Sequence, residues 1–256
     1  MLVQVLARSE ECPLFVVGLL ASFVAGIVAG LFVDHAAAAI PNDRRLLTVP
    51  GCHKCGEPWR GVQFLPVLGP LLARNCAHCG EPISPLRPLT ELATGVLFAL
   101  AYWRHGPSAA FVFTCAAIAI LLVILRIDWR HHLIYPNTVM LGIVLAFGYA
   151  AIFSREPNAL LWSTVAAVAA ALLFLLLFGL ALLLYRQRAL GFGDVLLAAL
   201  IGAVAGRDTA LALVIGMLLA ALGGLLLVAL RVRSLRDYIP YGAYLCAGTI
   251  ATLLIF

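Results

Sequence analysis

Apolar residues run along the chain in long stretches, broken by short clusters of Gly, Pro, Arg and Asp. The runs cover roughly 14–33, 89–103, 109–127, 137–153, 159–184, 192–205, 210–230 and 241–256. A helix crossing a hydrocarbon core needs about 20 mainly apolar residues. The pattern therefore predicts an all-α polytopic membrane protein with about eight transmembrane helices. Turns are expected at Arg104-His105-Gly106-Pro107 and Gly206-Arg207-Asp208, and the short second run leaves seven spans as the alternative count. One polar segment is long enough to fold separately. The expected order is 1–33 for the N-terminal segment and first span, 34–88 for a small cytoplasmic domain, and 89–256 for the main membrane domain.

Composition narrows the class further. The 256 residues are 64% hydrophobic and only 11% charged, against about a quarter charged in soluble domains, which excludes a soluble globular enzyme. The net charge of +5 comes with a single Lys, Lys54, and scattered Arg. That is not the basic face with interleaved aromatics of a nucleic-acid binder. Membrane lipid is the expected surrounding, and no nucleic acid is expected as a partner.

Lys and Arg in short loops favour the cytoplasm. Placed on the alternate sides that eight helices create, thirteen of the seventeen fall on one side: Arg44, Arg45, Lys54, Arg60, Arg74, Arg87, Arg126, Arg130, Arg186, Arg188, Arg231, Arg233 and Arg236. Arg8, Arg104, Arg155 and Arg207 fall on the other. This puts both termini outside and 34–88 in the cytoplasm. A cleaved signal peptide is the competing reading of the first span, because Ala36 to Ala39 follow it. Its apolar stretch, however, exceeds the roughly 7–15 residues of a secretory core and follows Arg8-Ser9-Glu10-Glu11.

The polar segment contains Cys52-His53-Lys54-Cys55-Gly56-Glu57-Pro58 and, twenty residues after Cys55, Cys76-Ala77-His78-Cys79-Gly80-Glu81-Pro82. Two thiolates spaced by two residues reach one tetrahedral ion, and the Gly after each pair lets the knuckle turn. Cys52, Cys55, Cys76 and Cys79 are thus the candidate ligands of a structural zinc. Four ligands leave no open position for hydrolytic chemistry. Two disulfides or four unrelated thiols are the alternatives, disfavoured on the reducing side of a membrane. His53 and His78 are expected to face solvent, and Cys12, Cys115 and Cys246 to pack inertly among apolar residues.

Among twelve acids, Asp128 ends the third run and Asp194 begins the sixth, inside Gly191-Phe192-Gly193-Asp194. An ionisable residue at or within a span marks function unless it is paired. Two carboxylates at one depth can share a proton, one acting as base on water and the other as acid to a scissile carbonyl. The glycines at 191 and 193 would let a backbone approach Asp194. Against this stand a salt bridge of Asp128 with Arg126 or Arg130, and for Asp194 a plain helix N-terminal acid. His131-His132 are expected to be solvated.

Gly191-Phe192-Gly193-Asp194, with Asp128 upstream of Tyr135-Pro136-Asn137, resembles the catalytic boxes of the prepilin peptidases (type IV leader peptidases), membrane aspartic proteases of the GxGD kind. Phe64-Leu65-Pro66-Val67-Leu68, the second cysteine box through Ser84, Pro88 and Glu91, and Ile239-Pro240-Tyr241-Gly242 are similar to that family in the same order. The resemblance implies that Asp128 and Asp194 are catalytic and that the enzyme sits in the bacterial inner membrane, its site facing the cytoplasm. It implies cleavage of the leader of type IV prepilins or type II secretion pseudopilins, and methylation of the new N-terminus from S-adenosylmethionine. Two departures stand out. The family's Lys two residues after the GxGD Asp is Leu196 here, and its box at the end of the first span reads Gly30-Leu31-Phe32-Val33-Asp34. Two other classes compete: a non-catalytic pilus or secretion assembly protein of the same fold, and a transporter with a zinc-bearing cytoplasmic gate.

Overall fold

The computed structural model describes residues 13–42, 44, 48–52, 54–154, 156–185, 191–229 and 240–256. Its helices are α1 (Pro13–Ala39), a short α2 (Leu68–Leu72), α3 (Leu86–His105), α4 (Ala109–His131), α5 (Pro136–Ile152), α6 (Ala159–Tyr185), α7 (Phe192–Ala205), α8 (Thr209–Ala229) and α9 (Tyr241–Ile255). Each of the eight apolar runs is therefore a helix, and no strand occurs among the described residues. Among the described residues four stretches are long and apolar enough to cross a membrane: Pro13–Asn42, Ala109–His131, Ala159–Leu183 and Phe192–Leu226. Helices α5 and α9 are apolar but shorter.

Local chemistry sets the helix ends. Gly106, at φ 60°, closes α3 by donating its N–H to Tyr102 O at 2.8 Å. His132, at φ 54°, closes α4 by donating to Asp128 O at 2.9 Å. Pro136 opens α5 at a first-turn position, where the missing N–H costs nothing. Helix α1 continues past Val33 through the Ala run to Ala39, because Asp34 is buried and not exposed as a loop acid would be.

The chain divides into two compact units, Met1–Cys115 and Ala116–Phe256. In the first, α1 packs along α3. A Cβ built on Gly30 would lie 2.6 Å from Glu91 Cα, so the two backbones touch as small residues allow in membrane helix pairs. Helix α3 begins at Leu86, ahead of its apolar run, because Arg87 and Glu91, one turn apart, neutralise each other. Arg87 Nε donates to Glu91 Oε1 at 2.9 Å with both side chains sealed from solvent. The second Glu91 oxygen accepts the Val67 N–H, and the Arg87 guanidinium lies 5.4 Å from the Trp59 ring centroid.

In the second unit α7 is the central helix, packed on α5, α6, α8 and α9. Leu197, Ala198, Leu200 and Ile201 fill that core. Small residues bring the backbones together: the Gly202 Cα side faces Ala166 and Ala167 of α6, and Gly248 of α9 faces Gly216 of α8. The outer faces are apolar. Leu172, Leu176 and Leu183 of α6 are 59%, 68% and 78% exposed, an arrangement suited to lipid and not to water.

Candidate active site and metal centre

The two cysteine boxes fold alike because they are chemically alike. Cys52 N–H donates to Glu57 O at 2.9 Å and Gly56 N–H to Cys52 O at 2.9 Å. In the second box Cys76 N–H donates to Glu81 O at 2.8 Å and Gly80 N–H to Cys76 O at 2.9 Å. Both turns need a left-handed residue, and Gly56 and Gly80 supply it at φ 76° and 71°. Lys54 ties the boxes together through Glu81 Oε2 at 2.7 Å. Cys52, Trp59, Cys76 and Ile83 form the small core beneath.

The four Sγ atoms lie within 4.8 Å of one another, with Cys52–Cys79 at 3.6 Å and Cys55–Cys76 at 3.8 Å. A tetrahedron with metal–sulfur bonds of about 2.3 Å has sulfurs about 3.8 Å apart, so the cluster has the size zinc requires. The Cys79 backbone N–H facing Cys76 lowers that thiol to about 7, whereas Cys52, by burial, and Cys55 are raised, so Cys76 is the first of these three to become a thiolate. All four sequence candidates are thus brought together. His78 is exposed, as expected; His53 and Cys12 lie outside the described residues. Cys115 and Cys246 are buried as expected.

The second cluster is built from three helix ends. Asp128 sits in the last turn of α4, Asp194 in the first turn of α7, and Gly242 and Ala243 in the first turn of α9. Both acids are nearly sealed, at 3% and 4% exposure. Asp128 Oδ2 accepts the Ala243 N–H at 2.8 Å. Pro240, the residue at the head of α9, has no side-chain oxygen to cap that helix, so a carboxylate from another helix satisfies its free N–H. Asp194 caps its own helix: its Oδ2 accepts the Gly191 N–H at 3.0 Å, while its N–H donates to Gly191 O at 3.1 Å. The two carboxylates are near enough to act on each other electrostatically, and Cys246 is within the same reach of both.

The glycines divide their work differently from the expectation. A Cβ on Gly193 would lie 2.9 Å from Ile134 Cβ, whereas one on Gly191 would meet nothing nearer than Asp194 Oδ2 at 3.5 Å. Gly193 makes room for a side chain and not for a backbone, and Gly191 contributes its N–H. His131 is exposed as expected, whereas His132 is half-buried and not the solvated residue expected, because it closes α4 with its N–H on Asp128 O. Leu196 places no cation on α7 beside Asp194.

Three neighbours carried no role in the sequence reading: Ile134, which packs against Gly193 and Gly242; Ala243, which holds Asp128 through its backbone; and Tyr241, which feels the Asp194 charge. The Pro240-Tyr241-Gly242 motif was the available signal, since Gly242 has a Cβ position only 3.0 Å from Asp128 Oδ2. Ile239 of that motif lies outside the described residues, as do Arg8, Arg45, Arg155, Arg186, Arg188, Arg231, Arg233 and Arg236 of the charge partition.

Two buried carboxylates at helix ends and a four-thiol knuckle that could hold a metal, on an apolar helical frame, are the features expected of a membrane peptidase. Comparison with known proteins agrees. Residues 24–105 match the bacterial peptidase A24 N-terminal domain and residues 115–229 the type IV leader peptidase family. The chain belongs to the type IV leader peptidase family. It is 31% identical over 229 residues to a prepilin leader peptidase/N-methyltransferase of Pseudomonas putida, covering 86% of this chain and 78% of that one. The protein of the same name from Bacillus subtilis is 28% identical, with 91% and 92% covered. The one from Klebsiella pneumoniae is 34% identical over 156 residues, with 60% and 68% covered. No solved structure matches the chain.

Proposed function

We propose that this chain cleaves the leader peptides of type IV prepilins or type II secretion pseudopilins at the cytoplasmic face of the bacterial inner membrane, with Asp128 and Asp194 as the catalytic pair. The observation that carries the reading is the burial of both carboxylates around Ile134, which packs against Gly193 next to Asp194 and against Gly242 beside Asp128, each acid tied through Oδ2 to a backbone N–H. Two such groups in close approach hold one proton between them. The ionised partner takes a proton from water as that water attacks the scissile carbonyl. The protonated partner donates to the carbonyl oxygen, and the same proton store then serves the leaving amine. Fixing Oδ2 orients each acid so that its other oxygen does the proton work, and no reorientation is needed during the reaction. The names of the relatives support the substrate class, and the partition of basic residues supports the cytoplasmic orientation and eight spans.

Cys52, Cys55, Cys76 and Cys79 would hold a structural zinc, which replaces the apolar core a small polar segment lacks. The relatives' names also support methylation of the new N-terminus, with S-adenosylmethionine as donor. The roughly 40 Å³ cavity between His35 and Gly56 is far too small for that molecule, and the 360 Å³ groove beside Trp162 has apolar walls. Neither fits it, so no residue is assigned to the donor and no step is derived through it.

The deciding experiment incubates the purified full chain with a prepilin and S-adenosylmethionine and reads the product N-terminus by mass spectrometry. Asp128→Asn and Asp194→Asn each abolish cleavage in a folded protein, because an amide keeps the shape but cannot exchange the proton. Cleavage by Asp194→Asn at even a tenth of the parent rate overturns the pair.

A further inference from the structure

On the face of the second unit away from the carboxylate pair, α6 and α8 part to leave a groove of about 360 Å³. Its walls are Val165, Ala166, Ala169, Ala170, Leu173 and Leu213. This volume lies in the range of small-ligand sites, about 300–1,000 Å³. Apolar walls give a water or a hydrophilic ligand nothing to bind.

The polar end of the groove has a specific chemistry. Arg207, in the turn between α7 and α8, stacks its guanidinium over the Trp162 ring at 4.9 Å from the centroid. Stacking occupies the flat face and leaves the N–H edge of the guanidinium available, the geometry that forks a phosphate. Arg207 is exposed and its N–H groups have no protein acceptor among the described residues; the adjacent Asp208 makes no ion pair with it. A cation, an aromatic ring and a chain-sized apolar slot thus follow one another in the order of a phospholipid's phosphate, glycerol region and acyl chain.

We propose that this groove binds a single acidic phospholipid, one acyl chain lying between α6 and α8 and the phosphate seated on the edge of Arg207. The lipid fills the gap beside the α7–α8 turn and fastens α6 to α8 behind the central helix. Nothing in the peptidase reading requires it.

The test uses the full chain in detergent, loaded with phosphatidylglycerol or with phosphatidylcholine of the same acyl chains, and read by native mass spectrometry. The parent retains phosphatidylglycerol at least tenfold better than phosphatidylcholine. Arg207→Gln brings the two lipids to the same level, Arg207→Lys keeps a preference, and Ala169→Phe, at an exposed wall position, loses both. Thermal melting and the cleavage assay show that each variant is folded. Equal retention of the two lipids by the parent, or unchanged retention in Arg207→Gln or Ala169→Phe, overturns the assignment. Displacement by inorganic phosphate makes it an ion site and overturns it as well. So does a protein dimer that Ala169→Phe dissociates, because the groove would then seat a second copy.

Discussion

A methyl group added at Gly242 is the sharpest perturbation of the carboxylate pair that leaves both acids in place. In Gly242→Ala the new Cβ lies 3.0 Å from Asp128 Oδ2 and 3.1 Å from Ile134 Cδ1, against an optimum of roughly 3.5–4.0 Å for non-bonded carbon contacts. Both neighbours stand on the same side of α9, so yielding by Ile134 does not relieve Asp128. The carboxylate must retreat by a few tenths of an ångström, which stretches the 2.8 Å bond from Ala243 N–H to the edge of good hydrogen-bond geometry. A hydrogen bond to a charged group contributes about 1.5–3 kcal/mol. Loss of that orientation therefore lowers kcat about 10- to 100-fold. KM changes little, since no substrate-binding surface is altered. The assay is steady-state cleavage of a prepilin peptide, with melting of the detergent-solubilised variant measured alongside. A Gly242→Ala enzyme with more than half the parent kcat refutes the claim that α9 holds Asp128 during the reaction.

Two further outcomes follow from the same geometry. Gly193→Ala forces its Cβ against Ile134 at 2.9 Å and lowers activity at least tenfold, whereas Gly191→Ala, whose Cβ meets only Asp194 Oδ2 at 3.5 Å, keeps activity within about threefold. Parallel rate measurements on the two variants decide this, and equal losses contradict it. Metal analysis of the full chain finds one zinc per chain, and Cys52→Ser or Cys76→Ser loses the metal together with protease resistance of the 50–84 segment; zinc-free protein of unchanged resistance refutes it.

The helices were legible because each is a run of apolar residues between Gly, Pro and charges, and such runs have no other stable form in lipid. The clustering of the four thiols was legible from spacing alone, since the repeated box Cys-x-x-Cys-Gly-Glu-Pro writes the same turn twice. The two acids proposed as the catalytic pair could be selected because charge at a span end is costly. Their surroundings could not be read in advance. Asp128 and Ala243 meet across 115 positions of sequence, and a backbone N–H carries no sequence signature. Gly193 was seen to need space but not for what, because Ile134 reaches it through tertiary packing. The start of α3 was hidden by Arg87 and Glu91, whose charges look like loop residues until each is seen to neutralise the other.

Helix α7 has 14 residues, a rise of about 21 Å, whereas the hydrocarbon core is about 30 Å thick. Charged groups stand at both of its ends, Asp194 at one and Arg207 with Asp208 just beyond the other. On the proposed eight-span topology the chain thus carries a built-in hydrophobic mismatch of about 9 Å along the helix that bears a proposed catalytic acid. Asp194 is walled off from lipid by protein, while Arg207 is exposed, so the polar turn fixes the depth of the helix and the acid takes up the shortfall inside the protein. On the proposed function, a scissile bond presented at the membrane surface is then drawn below it to reach the pair.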